Sequence, residues 1–173
     1  VLLPLMMYFF SAGRLIFGAA KPTPVDLRNT RNPRLANLAV SAAGPLSNFL
    51  LAAIGVGLLL TVRGTWPGAI RDLALAIQGH NFAAGALAPI VYLLFQFALV
   101  NVGLAVFNLI PIPPLDGSGV LASLAGEPVA RLFRTIAPFG FFILILLLST
   151  RLLGAIIRPF YLFVYTTVFG ISV

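Results

Sequence analysis

Cysteine is absent from this 173-residue chain, histidine occurs once, at His80, and glutamate once, at Glu127. Disulfides and thiolate-bound metals are thereby excluded, and a zinc site would have to be assembled from histidine and carboxylates. Charge is scarce too: 9% of the residues are charged, against about 25% in an ordinary soluble domain. No Ser-rich or charge-rich stretch parts the chain into two domains, and no internal repeat is apparent. What is present in excess is apolar: 60% of the residues are hydrophobic and the mean hydropathy is +1.06. The composition is that of a polytopic membrane protein forming a single domain over 1–173. The net charge of +7 does not call for a nucleic-acid partner, because the basic residues fall in short loops between apolar runs, where they orient helices in the bilayer.

Hydropathy divides the chain into a tail at 1–13 and blocks at 35–62, 83–110 and 136–157. Each of the three complete blocks exceeds the ~20 residues needed to cross a ~30 Å hydrocarbon core. The fold class expected is all-α, a transmembrane helix bundle. Val1 is not an initiator methionine and opens inside an apolar run, so 1–13 reads as the end of a helix begun upstream. The aromatic segment 159–173 reads as an interfacial or cut-off helix, with Arg151 and Arg158 interrupting its join to the last block. Arg14, Lys21, Arg28, Arg31 and Arg34, opposed only by Asp26, make loop 14–34 the expected cytoplasmic one, and crossings then return Asp116 to that end. Arg28, Arg31 and Arg34 also suit lipid phosphate contacts better than catalysis. His80 falls in a loop on the opposite face, and Glu127, before Pro128, reads as a surface or helix-start carboxylate.

Three segments carry chemistry. In Lys21-Pro22-Thr23-Pro24 two prolines exclude helix and favour an extended, edge-strand path that could either take up a peptide as an added strand or serve as a stiff connector. Asn37, Ser41, Gly44 and Asn48 fall at offsets of four, seven and eleven, which places them on one helical face. That stripe could pack helices, or Asn48 could offer its amide to a substrate backbone or an oxyanion. Asn101 and Asn108 are seven residues apart on the third block. The helix must then stop, because Pro111, Pro113 and Pro114 cannot continue it. Asp116 follows, a carboxylate at the end of an apolar helix. Such a charge demands a metal, a proton or a cation as partner, unless Asp116 merely caps a helix starting at Ser118.

The run Asn108-Leu109-Ile110-Pro111-Ile112-Pro113-Pro114-Leu115-Asp116-Gly117 resembles the Asn-x-x-Pro-x-Pro-x-Leu-Asp-Gly motif of the site-2 protease family of intramembrane zinc metalloproteases. Ala43-Gly44-Pro45-Leu46-Ser47-Asn48 resembles that family's Ala-Gly-Pro-x-x-Asn helix, and the Lys21–Val25 segment resembles the loop after its first catalytic helix. The order and spacing of the three elements also agree. The resemblance implies one catalytic Zn2+ with Asp116 as a ligand, the other ligands being two histidines of a His-Glu-x-x-His helix whose glutamate is the general base. It implies Asn48 as a contact to substrate or oxyanion, and Asn108, Lys21, Pro22, Thr23 and Pro24 as substrate-binding candidates. The substrate implied is a membrane-anchored protein cleaved within the bilayer of the cell membrane.

No His-Glu-x-x-His occurs in the 173 residues, so the chain by itself is expected to be inactive. Two readings of that departure stand: a catalytic helix upstream of Val1, or a non-catalytic relative. A small transporter or channel using Asp116 as an ion or proton site is the alternative from another class. Loop 63–82 is too short for an inserted PDZ-like domain, which would leave substrate choice to the proline-rich loop and the bundle.

Overall fold

The computed structural model describes residues 31–78 and 87–170. Two compact units divide the chain, Val1–Arg31 and Asn32–Val173, and the helices described belong to the second. Among the described residues every regular element is a helix: α1 (Pro33–Thr65), α2 (Pro67–Ile77), α3 (Ala88–Asn108), α4 (Asp116–Ala125), α5 (Glu127–Ile136), a 3-10 turn (Ala137–Phe139), α6 (Gly140–Ser149) and α7 (Leu152–Phe169). The expected edge strand around Lys21–Pro24, the helix tail at 1–13 and His80 lie outside the described residues.

The all-helical class follows from the apolar runs. Among the described residues four stretches are long and apolar enough to cross a membrane: Pro33–Thr65, Ala88–Asn108, Glu127–Ser149 and Leu152–Phe169. α1 starts two residues before the 35–62 block because Asn32 caps it, its side chain accepting from the Leu35 amide at 3.3 Å, and Pro33 takes the first helical position. α3 covers the inner part of the 83–110 block.

The last block departs from expectation. Instead of one helix over 136–157 followed by an interfacial tail, the chain turns at Ala137–Phe139, runs as α6 to Ser149, breaks at Thr150 and restarts as α7. Hydroxyls make the break. Ser149 and Thr150 donate back to the carbonyls of Leu146 and Leu147, both at 2.8 Å, and Thr150 turns to extended geometry, so the helical ladder ends there. The segment read as interfacial is therefore most of a membrane-length helix, with Arg158 exposed on its side.

α1, α3 and α7 form the core. Phe95 is 1% exposed and meets Tyr165 and Phe169 edge-on, with ring centroids 5.1 and 5.7 Å apart. Leu59, Leu73 and Val168 are fully enclosed around them. Asn101, 7% exposed, is satisfied within α3 by donating to the Phe97 carbonyl at 2.8 Å, so its burial is a packing arrangement. Arg63, near the end of α1, donates to the Thr167 carbonyl at 3.1 Å and the Val168 carbonyl at 3.4 Å, closing the last turn of α7.

Between α3 and α4 the backbone is irregular, yet its donors are all used. The amides of Leu109, Ile110, Ile112 and Leu115 donate to the carbonyls of Ala105, Phe107, Ile110 and Ile112 at 2.8 to 3.1 Å. The other three residues of 109–115 are Pro111, Pro113 and Pro114, which have no N–H to satisfy. A broken helix is tolerable at membrane depth only when its polar backbone finds partners, and this one leaves no donor over.

Candidate active site

Asp116 is the first residue of α4. The helix is preceded by Leu115 in extended geometry, and no side chain caps it, so Asp116 does not cap a helix starting at Ser118; it opens the helix itself. Its carboxylate is half-buried and faces α1 at Gly44: a Cβ built on Gly44 would lie 2.9 Å from Asp116 Oδ2. The break holds Asp116 in place from the other side. A Cβ on the next residue, Gly117, would lie 2.2 Å from the Leu109 carbonyl oxygen, so only glycine lets the chain fold back this tightly.

From this contact an antiparallel seam runs along α1 and α4. Gly119 lies under Ser41, whose Oγ would be 2.2 Å from a Cβ placed there. One turn further, Asn37 Nδ2 donates to Ser123 Oγ at 2.8 Å and to the Gly119 carbonyl at 3.4 Å. At the end of the seam Arg34 donates through Nε to the Ser123 carbonyl and through Nη2 to the Leu124 carbonyl, the latter at 2.6 Å. These contacts fix the register that brings Asp116 to Gly44. Asn48 is four residues beyond Gly44 on α1, half-buried, and makes no hydrogen bond among the described residues. Asn108, the last residue of α3, is likewise half-buried and without a hydrogen bond among them. Glu127 stands apart from the site: it opens α5, is 63% exposed and pairs with Arg134 and, at 3.9 Å, with Arg131.

The residues that meet here are those of the two sequence motifs, and the comparison with known families agrees. The family model described as Peptidase family M50 matches residues 10–148. The chain belongs to peptidase family M50. Membership agrees with the site-2 protease resemblance carried by Asn108–Gly117 and Ala43–Asn48. The chain is 33% identical over 147 residues to a Bacillus subtilis (strain 168) protein described as "Putative zinc metalloprotease YwhC", an alignment covering 83% of the chain and 59% of that relative's length. The chain thus spans about three fifths of the relative. No solved structure matches.

An M50 peptidase implies zinc, and a catalytic zinc site takes three protein ligands. Among the described residues no group of three histidine, cysteine, aspartate or glutamate side chains could hold a metal. Asp116 is a single donor, and Glu127 is engaged at the far end of α4 by two arginines. The described residues therefore do not by themselves make such a site. The pairings of Arg34 and Asn37 with α4 went unread in the sequence. Their signal was there: intervals of four and three along Asn37, Ser41 and Gly44 are reversed as three and four along Asp116, Gly119 and Ser123, as two antiparallel helical faces require.

Proposed function

We propose that this chain is the part of an intramembrane zinc metalloprotease of the site-2 type that contributes the Leu-Asp-Gly ligand, Asp116, to a Zn2+ whose histidine ligands and general base come from a His-Glu-x-x-His segment outside these 173 residues. The contact of Asp116 with Gly44 supports the reading, because it unites the two motif segments in space and directs a carboxylate at a helix face that offers it no cation among the described residues. Asn48, one turn along that face with an unspent amide, suits a contact to the substrate backbone or to the oxyanion formed in peptide hydrolysis. Asn108 and the Lys21–Pro24 segment are proposed substrate contacts, the latter by adding an edge to an unwound substrate. The substrate class is a membrane-anchored protein cut within the bilayer, in a multi-pass protein of the cell membrane whose 14–34 loop and Asp116 end face the cytoplasm.

The test is zinc content and cleavage of a membrane-anchored reporter by the complete gene product, purified in detergent. Asp116→Asn should abolish cleavage and reduce bound zinc more than tenfold while the protein remains monodisperse. Full zinc occupancy in that variant would overturn the ligand assignment. The 173-residue chain alone should neither retain zinc nor cleave the reporter; cleavage by it would refute the need for a second segment.

A further inference from the structure

The polar end of the α1/α4 seam opens into a cavity of about 470 Å3 whose wall includes Arg34, Asn37, Ser123, Glu127, Ala130 and Arg134. It is separate from the Asp116 contact, which is ten residues further along α1 from Arg34, about 15 Å of helix. We infer that this cavity binds the phosphate of an anionic lipid headgroup, through the guanidinium groups of Arg34 and Arg134.

Three observations lead there. Charge is the first: Arg34 and Arg134 line the cavity with one carboxylate, Glu127, which accepts from Arg134 Nη2; that pair balances itself, so the charge of Arg34 leaves a net positive site in a chain with few charges. Arg34 is held in place by the carbonyls of Ser123 and Leu124, and its Nη1 makes no hydrogen bond among the described residues. A guanidinium fixed on one edge and open on the other is prepared for a phosphate oxygen. Level is the second. Arg34 and Arg63 are 29 positions apart on α1 and no other charged residue lies between them. That is about 44 Å of helix, matching a bilayer of roughly 40–45 Å measured across both headgroup layers. With Arg63 at one polar boundary, Arg34 reaches the other. The third is α5. Its apolar residues Val129, Leu132, Phe133 and Ile136 recur at helical spacing opposite Arg131 and Arg134, and Leu132 is 55% exposed. That pattern gives α5 one side for acyl chains and turns its arginines away from it, and basic pockets between membrane helices are where anionic headgroups lodge.

The experiment is lipid retention measured by native mass spectrometry on the protein released from nanodiscs of phosphatidylcholine containing one fifth phosphatidylglycerol. Wild type should retain phosphatidylglycerol preferentially. Arg134→Gln should lower that retention about fivefold, in keeping with loss of a charge-assisted hydrogen bond. Arg131→Gln, which removes the same charge from α5 but does not line the cavity, should lower it less than twofold. Ala130→Leu fills the cavity without changing charge and should reduce retention as Arg134→Gln does, which keeps the test decisive if the arginine variant misfolds. Equal losses for Arg131→Gln and Arg134→Gln, or undiminished retention in Ala130→Leu, would show diffuse surface attraction and overturn the site. Inorganic phosphate in large excess should not displace the lipid, since the acyl chains add affinity; displacement by phosphate would assign the cavity to a soluble anion instead and overturn the lipid assignment.

Discussion

Replacing Gly44 by alanine should separate stability from metal binding. The new Cβ would lie 2.9 Å from Asp116 Oδ2 and 3.9 Å from its Cγ. A relaxed carbon–oxygen contact is about 3.3 Å, so the conflict is roughly 0.4 Å and involves only the tip of one side chain. A small rotation of the carboxyl removes it. Alanine in a helix interior is favoured over glycine by about 1 kcal/mol, so Gly44→Ala should melt at or slightly above the wild-type temperature. Metal ligands, however, hold their distances to about ±0.2 Å, and a carboxylate displaced by twice that should bind zinc at least tenfold more weakly. The assay is thermal unfolding of the complete protein in detergent beside zinc release to a calibrated chelator. Gly57→Ala is the control, since a Cβ there meets nothing within 4 Å; it should share the stability gain and keep the metal. Unchanged zinc affinity in a folded Gly44→Ala protein would refute the argument that Asp116 works from this contact.

Gly117→Ala should behave oppositely, because its Cβ would press within 2.2 Å of a backbone oxygen at Leu109 that cannot turn aside; a loss of about 2 to 3 kcal/mol is expected in denaturation. Asn37→Ala and Ser123→Ala, taken singly and together, should give a coupling energy of about 0.6 to 1.7 kcal/mol, the range for side-chain hydrogen bonds between membrane helices, and no coupling would remove their bond from the seam. Arg63→Ala should expose the last-turn amides of α7 to faster hydrogen exchange while leaving those of α4 unaltered. Glu127→Ala should change stability by less than about 0.5 kcal/mol, its ion pairs being solvent-exposed.

Much of the fold was legible because bilayer-length apolar runs and prolines are unambiguous physical signals. The end of α3 could be read from Pro111, Pro113 and Pro114, since no context lets three such residues continue a helix. The division at Thr150 could not be read from apolarity: hydroxyls bonding back to carbonyls decide it, and hydropathy takes no account of them. α7 was obscured by Arg158 and Pro159, which look like an interruption in a list of residues, yet a single arginine can point outward from a long helix. At the site, the grouping of Asn37, Ser41 and Gly44 was legible as a face. That Asp116 is the residue opposite Gly44 was not, because register between helices depends on side chains meeting in three dimensions.

α1 carries an arginine at each end, and each closes the final turn of a different neighbour, α4 through Arg34 and α7 through Arg63. Gly44 must face Asp116 in the same register. The helix therefore acts as a ruler, and what it cannot accept is a change of length. One residue inserted between Asn37 and Gly44 would turn one end by about 100° and advance it by about 1.5 Å relative to the other, so that Arg34 and Gly44 could no longer both meet α4. Over this stretch the chain should tolerate many replacements and almost no insertion or deletion.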